Sequence, residues 1–509
     1  MNAFGQDETI AFLASPAAFG GQEPVRRIDT HFSVVTMAGE RVLKLKRAVR
    51  SALVDHSTPE LRRRACMLEL ERNRRTAPSL YLDVLPVTRD SRGRLDLAGK
   101  GEAVDWVVAM RPFDEDSLFT ELARDGRLTF GLIDRTADAI ANFHDNAERA
   151  PQYGGIEDMR WIVEGNIEAL EKTPPASATP SQIAALAAAS RVALERHGGL
   201  LEARRAAGRT RHCHGDLHLG NICLVEGAPT LFDAIEFNDR LACCDVLYDL
   251  AFLVMDLWAR GLRHEANRVL NRYLWRTADW QGLPLLPLFL ATRAAVRAKT
   301  SVWSAALQKD PVRADEQARQ AGAYLDLALE ALRRPPPTLL ALGGLSGSGK
   351  TTLAMTLAPD RGSIPGALVV RSDVVRKQQA GIAFEQRLDR ETYSPESSAA
   401  VYRAVGSIAG AALDAGLDAI ADAVFLRDSE RAAIAEVAAS RELRFNALWL
   451  EAPHDTLTRR VEHRRGDASD ADAAVVDFQA RQGTASVDWP RLQTHLEHGD
   501  VAARARALT

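Results

Sequence analysis

A chain of 509 residues is too long for one hydrophobic core and has room for roughly two to four domains. An apolar share of 46% beside 26% charged residues is that of an ordinary globular protein. Its 64 basic and 68 acidic residues leave a net charge of −4 with no long run of one sign, which argues against a nucleic-acid partner.

The first twenty residues place Asp7 and Glu8 ahead of a short apolar stretch and no basic residue before it, so they do not read as a signal peptide. No apolar run reaches the ~18 residues that span a bilayer, and no membrane partner is expected. Tyr248 to Trp258 is apolar but interrupted by Asp249 and Asp256, which suits a buried helix. The cysteines, Cys66, Cys213, Cys223, Cys243 and Cys244, are odd in number and form no CxxC pair, so a reducing, cytoplasmic location is expected.

Along the chain, His31 to Met37 and Arg41 to Lys46 predict a β-hairpin turning at Ala38-Gly39-Glu40. Residues 60–76 have helical spacing, and Val104 to Met110 predicts a strand. From Ser117 to Arg209 the pattern is mostly helical, with Thr173 to Ser181 as a surface loop. Strands are expected again at His218–Leu224 and Thr230–Phe232, then helices to Arg334. Pro335-Pro336-Pro337 cannot continue a helix and favours an extended connector. Beyond it, apolar strands at 339–343, 366–371, 418–424 and 446–451 alternate with helical stretches, which implies βαβ units and a parallel sheet. The expected architecture is an α+β bilobal domain followed by an α/β domain with a mostly parallel sheet. Its β-rich first lobe would cover 1–112, its helical lobe 113–334, the linker 335–338 and the α/β domain 339–509.

Two motifs carry chemistry. His214-Gly215-Asp216-Leu217-His218-Leu219-Gly220-Asn221 has the H-x-D-x-x-x-x-N spacing of a kinase-like catalytic loop. Asp216 would orient the acceptor hydroxyl and Asn221 would bind Mg²⁺. Leu231-Phe232-Asp233 ends a short strand further on and offers Asp233 as a second Mg²⁺ ligand. His212, Cys213, His214 and His218 fit no zinc spacing. The second motif, Gly344-x₄-Gly349-Lys350-Thr351, stands between a strand and a helix, the context that marks a Walker A loop. Gly344, Ser346, Gly347, Ser348, Gly349, Lys350, Thr351 and Thr352 would cradle phosphate with backbone N–H groups at a helix N-terminus. Lys350 would reach the β- and γ-phosphates of ATP, and the Thr351 hydroxyl would hold Mg²⁺. Asp373 and Asp422 each close a strand, where ligands of parallel sheets sit. Asp373 would orient an acceptor hydroxyl, and Asp422 would join the Mg²⁺ shell.

With its HGDLHxGN loop, the first region resembles the aminoglycoside phosphotransferase family over about residues 25–330. That resemblance implies that Asp249, in Asp249-Leu250-Ala251, braces the catalytic loop. It implies too that Arg41 to Lys46 is the strand supplying a phosphate-binding lysine, Lys44 or alternatively Lys46, paired with Glu69 or alternatively Glu71. The departure is the nucleotide-covering hairpin, where Thr30-His31-Phe32-Ser33 replaces the glycine-rich loop of protein kinases. Residues 339–509 resemble small-molecule P-loop kinases of the gluconate-kinase and zeta-toxin kind, in which Arg459, Arg460, Arg464 and Arg465 would be lid arginines. No second ATPase submodule of a AAA+ machine is apparent. The two resemblances imply an α+β protein-kinase-like bilobal domain, with its N-lobe at 1–112 and its helical C-lobe at 113–334, followed by an α/β P-loop NTPase domain with a mostly parallel sheet at 339–509. The expected function is ATP- and Mg²⁺-dependent phosphate transfer to hydroxyls of small molecules at two sites. The rival reading is a regulatory protein in which one site binds nucleotide without turnover.

Overall fold

The computed structural model describes residues 5–51, 54–463, 466–484 and 487–509. The chain divides into two compact units. Met1–Arg135, Asn142–Asp158 and Ala203–Asp249 form the first; Thr136–Ala141, Met159–Glu202 and Leu250–Thr509 form the second.

The chain begins with helix α1 (Asp7–Leu13) and strands β1 (Arg26–Asp29), β2 (Ser33–Ala38) and β3 (Arg41–Lys46). Helix α2 (Pro59–Arg74) and strands β4 (Tyr81–Arg89), β5 (Leu95–Leu97) and β6 (Glu102–Met110) follow. These six strands form an antiparallel sheet in the order β1-β2-β3-β6-β4-β5. Side chains alternate across β3. Leu43 and Leu45 enter one core with Ile10, Leu13, Val34 and Val107. Val42 enters the other with Cys66 and Leu70 of α2, and Lys44 and Lys46 share that face. Helix α2 starts at Thr58, whose hydroxyl accepts the Leu61 N–H, with Pro59 in the first turn. It is tied to the sheet by Arg62, whose Nε and Nη2 donate to Asp105 at 2.7 and 3.0 Å, while Gln6 donates to the same carboxylate at 2.8 Å.

The expected hairpin is β2–β3, but it begins at Ser33. The residues before it turn the chain out of β1, a strand the sequence reading missed: Thr30 N donates to Ser33 O at 2.9 Å and Thr30 Oγ1 accepts Ser33 N at 3.0 Å. The glycine-free segment therefore joins β1 to β2, and Gly39, at φ +54°, belongs to the next turn.

Helices α3 (Phe119–Arg124), α4 (Phe130–Asn146), α5 (Gly155–Lys172) and α6 (Pro180–Ala206) follow. Then come β7 (Thr210–His212), the hairpin β8 (Ile222–Val225) and β9 (Ala228–Leu231), α7 (Asp239–Ala242) and β10 (Cys243–Asp245), which pairs with β7. The strand expected from His218 starts only at Ile222. His218 Nδ1 accepts the Gly220 N–H at 3.0 Å and curls Leu219–Asn221 into a 3₁₀ turn instead.

The apolar run around Tyr248 is α8 (Val246–Ala259), in which Asp249 and Asp256 are buried with their neighbours. Helices α9 (Arg263–Thr277), α10 (Leu286–Leu307) and α11 (Pro311–Ala331) lead to residues 333–337, which have no regular structure. After them come β11 (Thr338–Gly343), α12 (Lys350–Leu357), β12 (Leu368–Arg371), α13 (Ser372–Ala380), α14 (Pro395–Asp414) and β13 (Ala419–Asp422). The chain closes with α15 (Asp428–Ala439), β14 (Arg444–Glu451), α16 (His454–His463), α17 (Ala473–Arg481), β15 (Arg491–Gln493) and α18 (His498–Leu508). The five strands run parallel in the order β12-β13-β11-β14-β15. Leu339 to Leu342 are wholly buried, the continuous apolar run that a sheet covered on both faces requires. Among the described residues, no helix is long and apolar enough to cross a membrane.

Asp105 is 1% exposed and accepts from Arg62 Nε and Nη2, which would be orphaned without it, and also from Gln6 Nε2 and Trp106 N. Asp105→Ala should cost about 3–5 kcal/mol, the penalty for leaving a buried arginine uncompensated. A urea midpoint for the first unit equal to that of the parent would show that the pair is dispensable.

Candidate functional sites

In the first unit the two candidate lysines divide the work. Lys44 Nζ lies 2.7 Å from Glu69 Oε1 and 2.5 Å from Asp233 Oδ1. Lys46 Nζ pairs with the other oxygen of Glu69 and with Glu236, and only 3% of its side chain is exposed against 13% for Lys44. Lys44 is thus the lysine that meets the helix glutamate and the strand-end aspartate together. Burial would depress Lys44, but the Asp233 and Glu69 carboxylates overrule it and hold the ammonium well above its ordinary value. Burial would raise Glu69, yet Lys44 and Lys46 hold it down at about 2. Glu71, the alternative partner, is not the residue that meets either lysine.

Asp233 lies in the left-handed region at φ +62°, a conformation costing a non-glycine residue roughly 1–2 kcal/mol. Its N–H donates to the Tyr81 hydroxyl at 3.2 Å, which helps hold the turn. Across the β8–β9 hairpin, Phe232 N donates to Asn221 O at 3.0 Å, so the residues flanking Ile222 and Leu231 stay together. Asn221 Nδ2 donates to Asp216 O at 2.9 Å and Asp216 Oδ2 at 3.0 Å, and His218 Nε2 is 3.4 Å from the same oxygen. Asp216, Asn221 and Asp233 are brought into one site with Lys44 and Glu69.

Asp249 anchors the His214–Asn221 loop. Its Oδ2 accepts the His214 N–H at 3.0 Å and its Oδ1 the Gly215 N–H at 2.8 Å. His144 Nε2 lies 3.1 Å from Oδ2. His214 in turn ties the loop to the Asp233 segment, with Nε2 2.8 Å from Phe232 O and its carbonyl accepting Ile235 N at 2.9 Å. Burial depresses the His214 imidazole, which suits a neutral ring with one donor and one acceptor nitrogen. His144, Cys213 and Asp249 hold potential metal-binding atoms within 4.8 Å of one another, but the Asp249 oxygens are committed to the loop and Cys213 Sγ donates to Cys244 O at 3.4 Å. That trio is a brace.

In the second unit the Walker A loop leaves β11 and enters α12. Gly347 (φ +82°) allows no side chain, because a Cβ there would fall 2.5 Å from Leu457 O. Gly344 is similarly enclosed, 2.5 Å from Leu450 O. Gly349 is the left-handed residue that starts α12, and Thr352 follows on its first turn. Lys350 Nζ donates to Gly344 O at 2.8 Å and Leu345 O at 3.0 Å. Ser346 N donates to Gln479 Oε1 at 2.9 Å, and Ser348 Oγ is buried without a hydrogen-bond partner among the described residues. Thr351 Oγ1 donates to Asp422 Oδ2 at 2.5 Å, which joins the two residues expected to share a metal. Burial raises the Asp422 carboxyl, and Arg371 and Lys350 oppose that rise. Asp373 opens α13 beyond the end of β12, half-buried, with no hydrogen bond to its carboxylate among the described residues.

Of the four arginines expected as a lid, Arg464 and Arg465 lie outside the described residues. Arg459 and Arg460 are on α16, and the guanidinium lying against the loop is that of Arg460, with Nη1 3.3 Å from Gly347 O and Nη2 2.7 Å from Thr494 O. Sequence reasoning also missed Tyr81, Glu236, Arg371, Gln479 and Thr494. Glu236 alone had a visible signal, standing three residues after Asp233 in a strand-end segment.

Fold and sites together define a chain that joins a protein-kinase-like region to a P-loop region. A family model described as an AAA domain matches residues 339–485, a stretch holding the single Walker A loop. An uncharacterized protein of Mycobacterium tuberculosis H37Rv, Rv2004c, is 29% identical over 472 residues, covering 91% of this chain and 90% of its own length. The choline/ethanolamine kinase family protein from Mesorhizobium loti aligns at 16% identity over 65% of this chain and 99% of its own, with a TM-score of 0.39. A gluconokinase from Sinorhizobium meliloti 1021 aligns at 19% identity over 34% of this chain and 92% of its own, with a TM-score of 0.24.

Replacing Asp249 with Asn removes one acceptor from the amides of His214 and Gly215. Those amides should exchange with solvent roughly 10–100-fold faster, the equivalent of about 1.5–3 kcal/mol for a charge-assisted hydrogen bond. Unchanged protection in Asp249→Asn would remove Asp249 as the anchor.

Proposed function

We propose that this chain is an ATP- and Mg²⁺-dependent phosphotransferase with two transfer sites, each passing a phosphoryl group to a hydroxyl of a small molecule. The observation that carries the reading is the position of Lys44 Nζ, 2.7 Å from Glu69 and 2.5 Å from Asp233, in the same unit as the Asp216–Asn221 pair. A phosphate-binding cation, a carboxylate for the acceptor and two metal ligands are the parts that in-line phosphoryl transfer requires.

In the first site Asp216 orients the acceptor hydroxyl and takes its proton, with its carboxylate steadied by Asn221 and His218. Asn221 spends its amide N–H₂ on Asp216, which leaves Oδ1 to serve as a metal ligand beside Asp233. Lys44, oriented by Glu69, meets the nucleotide phosphates. In the second site the loop amides and Lys350 hold phosphate oxygens, and Thr351 with Asp422 forms a hydroxyl–carboxylate pair suited to a hard divalent cation. Bound Mg²⁺ would neutralise phosphate charge at each site. Asp373, whose carboxylate is not consumed by the fold, takes the acceptor proton, and the Arg459–Arg460 helix lies over the phosphates. Five buried, unpaired cysteines fit a reducing cytoplasm, and the charge balance fits small-molecule acceptors rather than nucleic acid or membrane.

The test is a panel of sugars, amino alcohols and aminoglycosides offered to the full-length protein with ATP and Mg²⁺. Asp216→Ala and Lys350→Ala should each abolish one product by at least about 10²-fold and leave the other. If neither variant alters any turnover while both sites take up nucleotide, the protein is a regulatory nucleotide binder instead.

Asp373→Asn keeps shape and removes the base. Transfer at the P-loop site should fall by about 10²–10⁴-fold, with nucleotide affinity kept within about twofold. Steady-state rates equal to the parent's would rule out Asp373 as the proton acceptor.

A further inference from the structure

Strand β12 is the outer strand of the parallel sheet, so the backbone groups on its far side have no strand partner. Helix α9 supplies partners from its side chains. Asn267 Nδ2 donates to Pro365 O and Ala367 O, both at 3.0 Å. Asn271 accepts Val369 N at 2.7 Å through Oδ1 and donates to Ala367 O at 3.3 Å. Trp275 Nε1 donates to Val369 O at 2.9 Å. Four helical residues rise about 6 Å and two strand residues about 6.6 Å, so positions 267, 271 and 275 stay in step with the edge. Both asparagines are 0% exposed.

Trp275 also reaches beyond the edge. Its carbonyl accepts Gln378 Nε2 of α13 at 3.0 Å, and the Arg371 guanidinium lies 5.1 Å from its ring centre. Arg371 is 4% exposed. Its Nη2 donates to Asp467 at 2.7 Å, while Nε, which has no hydrogen-bond partner among the described residues, faces Asp422 Oδ2 at 3.7 Å. That oxygen is the one that accepts the Thr351 hydroxyl. A carboxylate's terminal torsion is broad and soft, so its direction is set by its neighbours. A guanidinium stacked on an indole is held flat and presents its N–H groups in one plane.

We propose that Trp275 is a positioning residue for the metal shell of the P-loop site, acting through Arg371 to hold Asp422 against Thr351. This rests on the reading of Thr351 and Asp422 as that shell. A helix lying before the proline-rich connector thereby sets how well the Walker A site takes its cation.

The experiment measures the free Mg²⁺ concentration at which full-length protein half-saturates with AMP-PNP, in a Lys44→Ala background that silences the first site. Arg371→Gln and Trp275→Leu should each raise that midpoint about tenfold, as loss of an outer-shell partner does. The double variant should be no worse than Arg371→Gln alone, because the two act in series. Asn267→Ser, which loosens the edge without touching Arg371, should lower the Tm and leave the Mg²⁺ midpoint unmoved. A parental midpoint in folded Arg371→Gln, or additive effects in the double variant, overturns the proposal. Should Trp275→Leu not fold, Arg371→Gln decides alone. If the Lys44→Ala protein itself shows no Mg²⁺ dependence of nucleotide uptake, the reading of the shell falls, and the proposal with it.

Discussion

A carboxylate with no exposed surface must be neutralised or expelled, and Glu69 is such a carboxylate. Leaving it unpaired would cost several kcal/mol, so the first unit has to bring cations to it. Alternate residues of β3 do so: Lys44 takes one oxygen and Lys46 the other. Each lysine then has a second carboxylate, Asp233 for Lys44 and Glu236 for Lys46, and both come from the segment after β9. Helix, strand and loop therefore converge on one buried charge. Two cations facing three carboxylates leave a local excess of negative charge.

The same segment fixes α2 by means other than charge. Asn73 Oδ1 accepts Ala234 N at 2.9 Å and Arg72 Nη1 donates to Ile235 O at 2.7 Å. Arg75 Nη1 reaches His212 O at 2.6 Å, just ahead of the His214–Asn221 loop. A helix held at these points cannot swing its glutamate away without breaking hydrogen bonds, among them the buried Asn73–Ala234 bond, each worth about 1 kcal/mol net and more when a partner is stranded.

Much of this was legible in the sequence because the chemistry lies in short local patterns. The His214–Asn221 loop and the Walker A loop are each contiguous, and their spacing reports a backbone shape that few other sequences adopt. The period-2 alternation of Val42, Lys44 and Lys46 placed both lysines on one face, but only the third dimension divides Glu69 between them. Strand β1 was illegible because Arg26-Arg27-Ile28-Asp29 has little apolar signal; it is an edge strand whose exposed side needs none. Strand β15 is short and pairs with β14 over Arg491–Gln493 only, too brief for periodicity to register. The partners of the P-loop were hidden for a different reason. Gln479, Thr494 and Arg371 reach the site from distant parts of the chain, and no local rule links a glutamine on α17 to the Ser346 amide.

The proline run shows how chain punctuation and packing can differ. Pro335 to Pro337 must end a helix, since they lack N–H groups and their rings clash with the preceding turn. That rule governs the direction of the backbone and says nothing about which surfaces meet. An outer strand of a parallel sheet carries a row of unmet hydrogen-bonding groups, and something must cover them. Here the cover is α9, from the sequence before the prolines, and its asparagines suit the task better than apolar residues would. Each carries both a donor and an acceptor on one short side chain, so Asn271 can receive the Val369 N–H and donate to the Ala367 carbonyl at once. Leucines at those positions would bury the same edge and leave its amides and carbonyls stranded, at about 1–3 kcal/mol apiece. The polar ladder on α9 therefore follows from the open edge of β12, and it makes the second unit larger than the stretch that follows the connector.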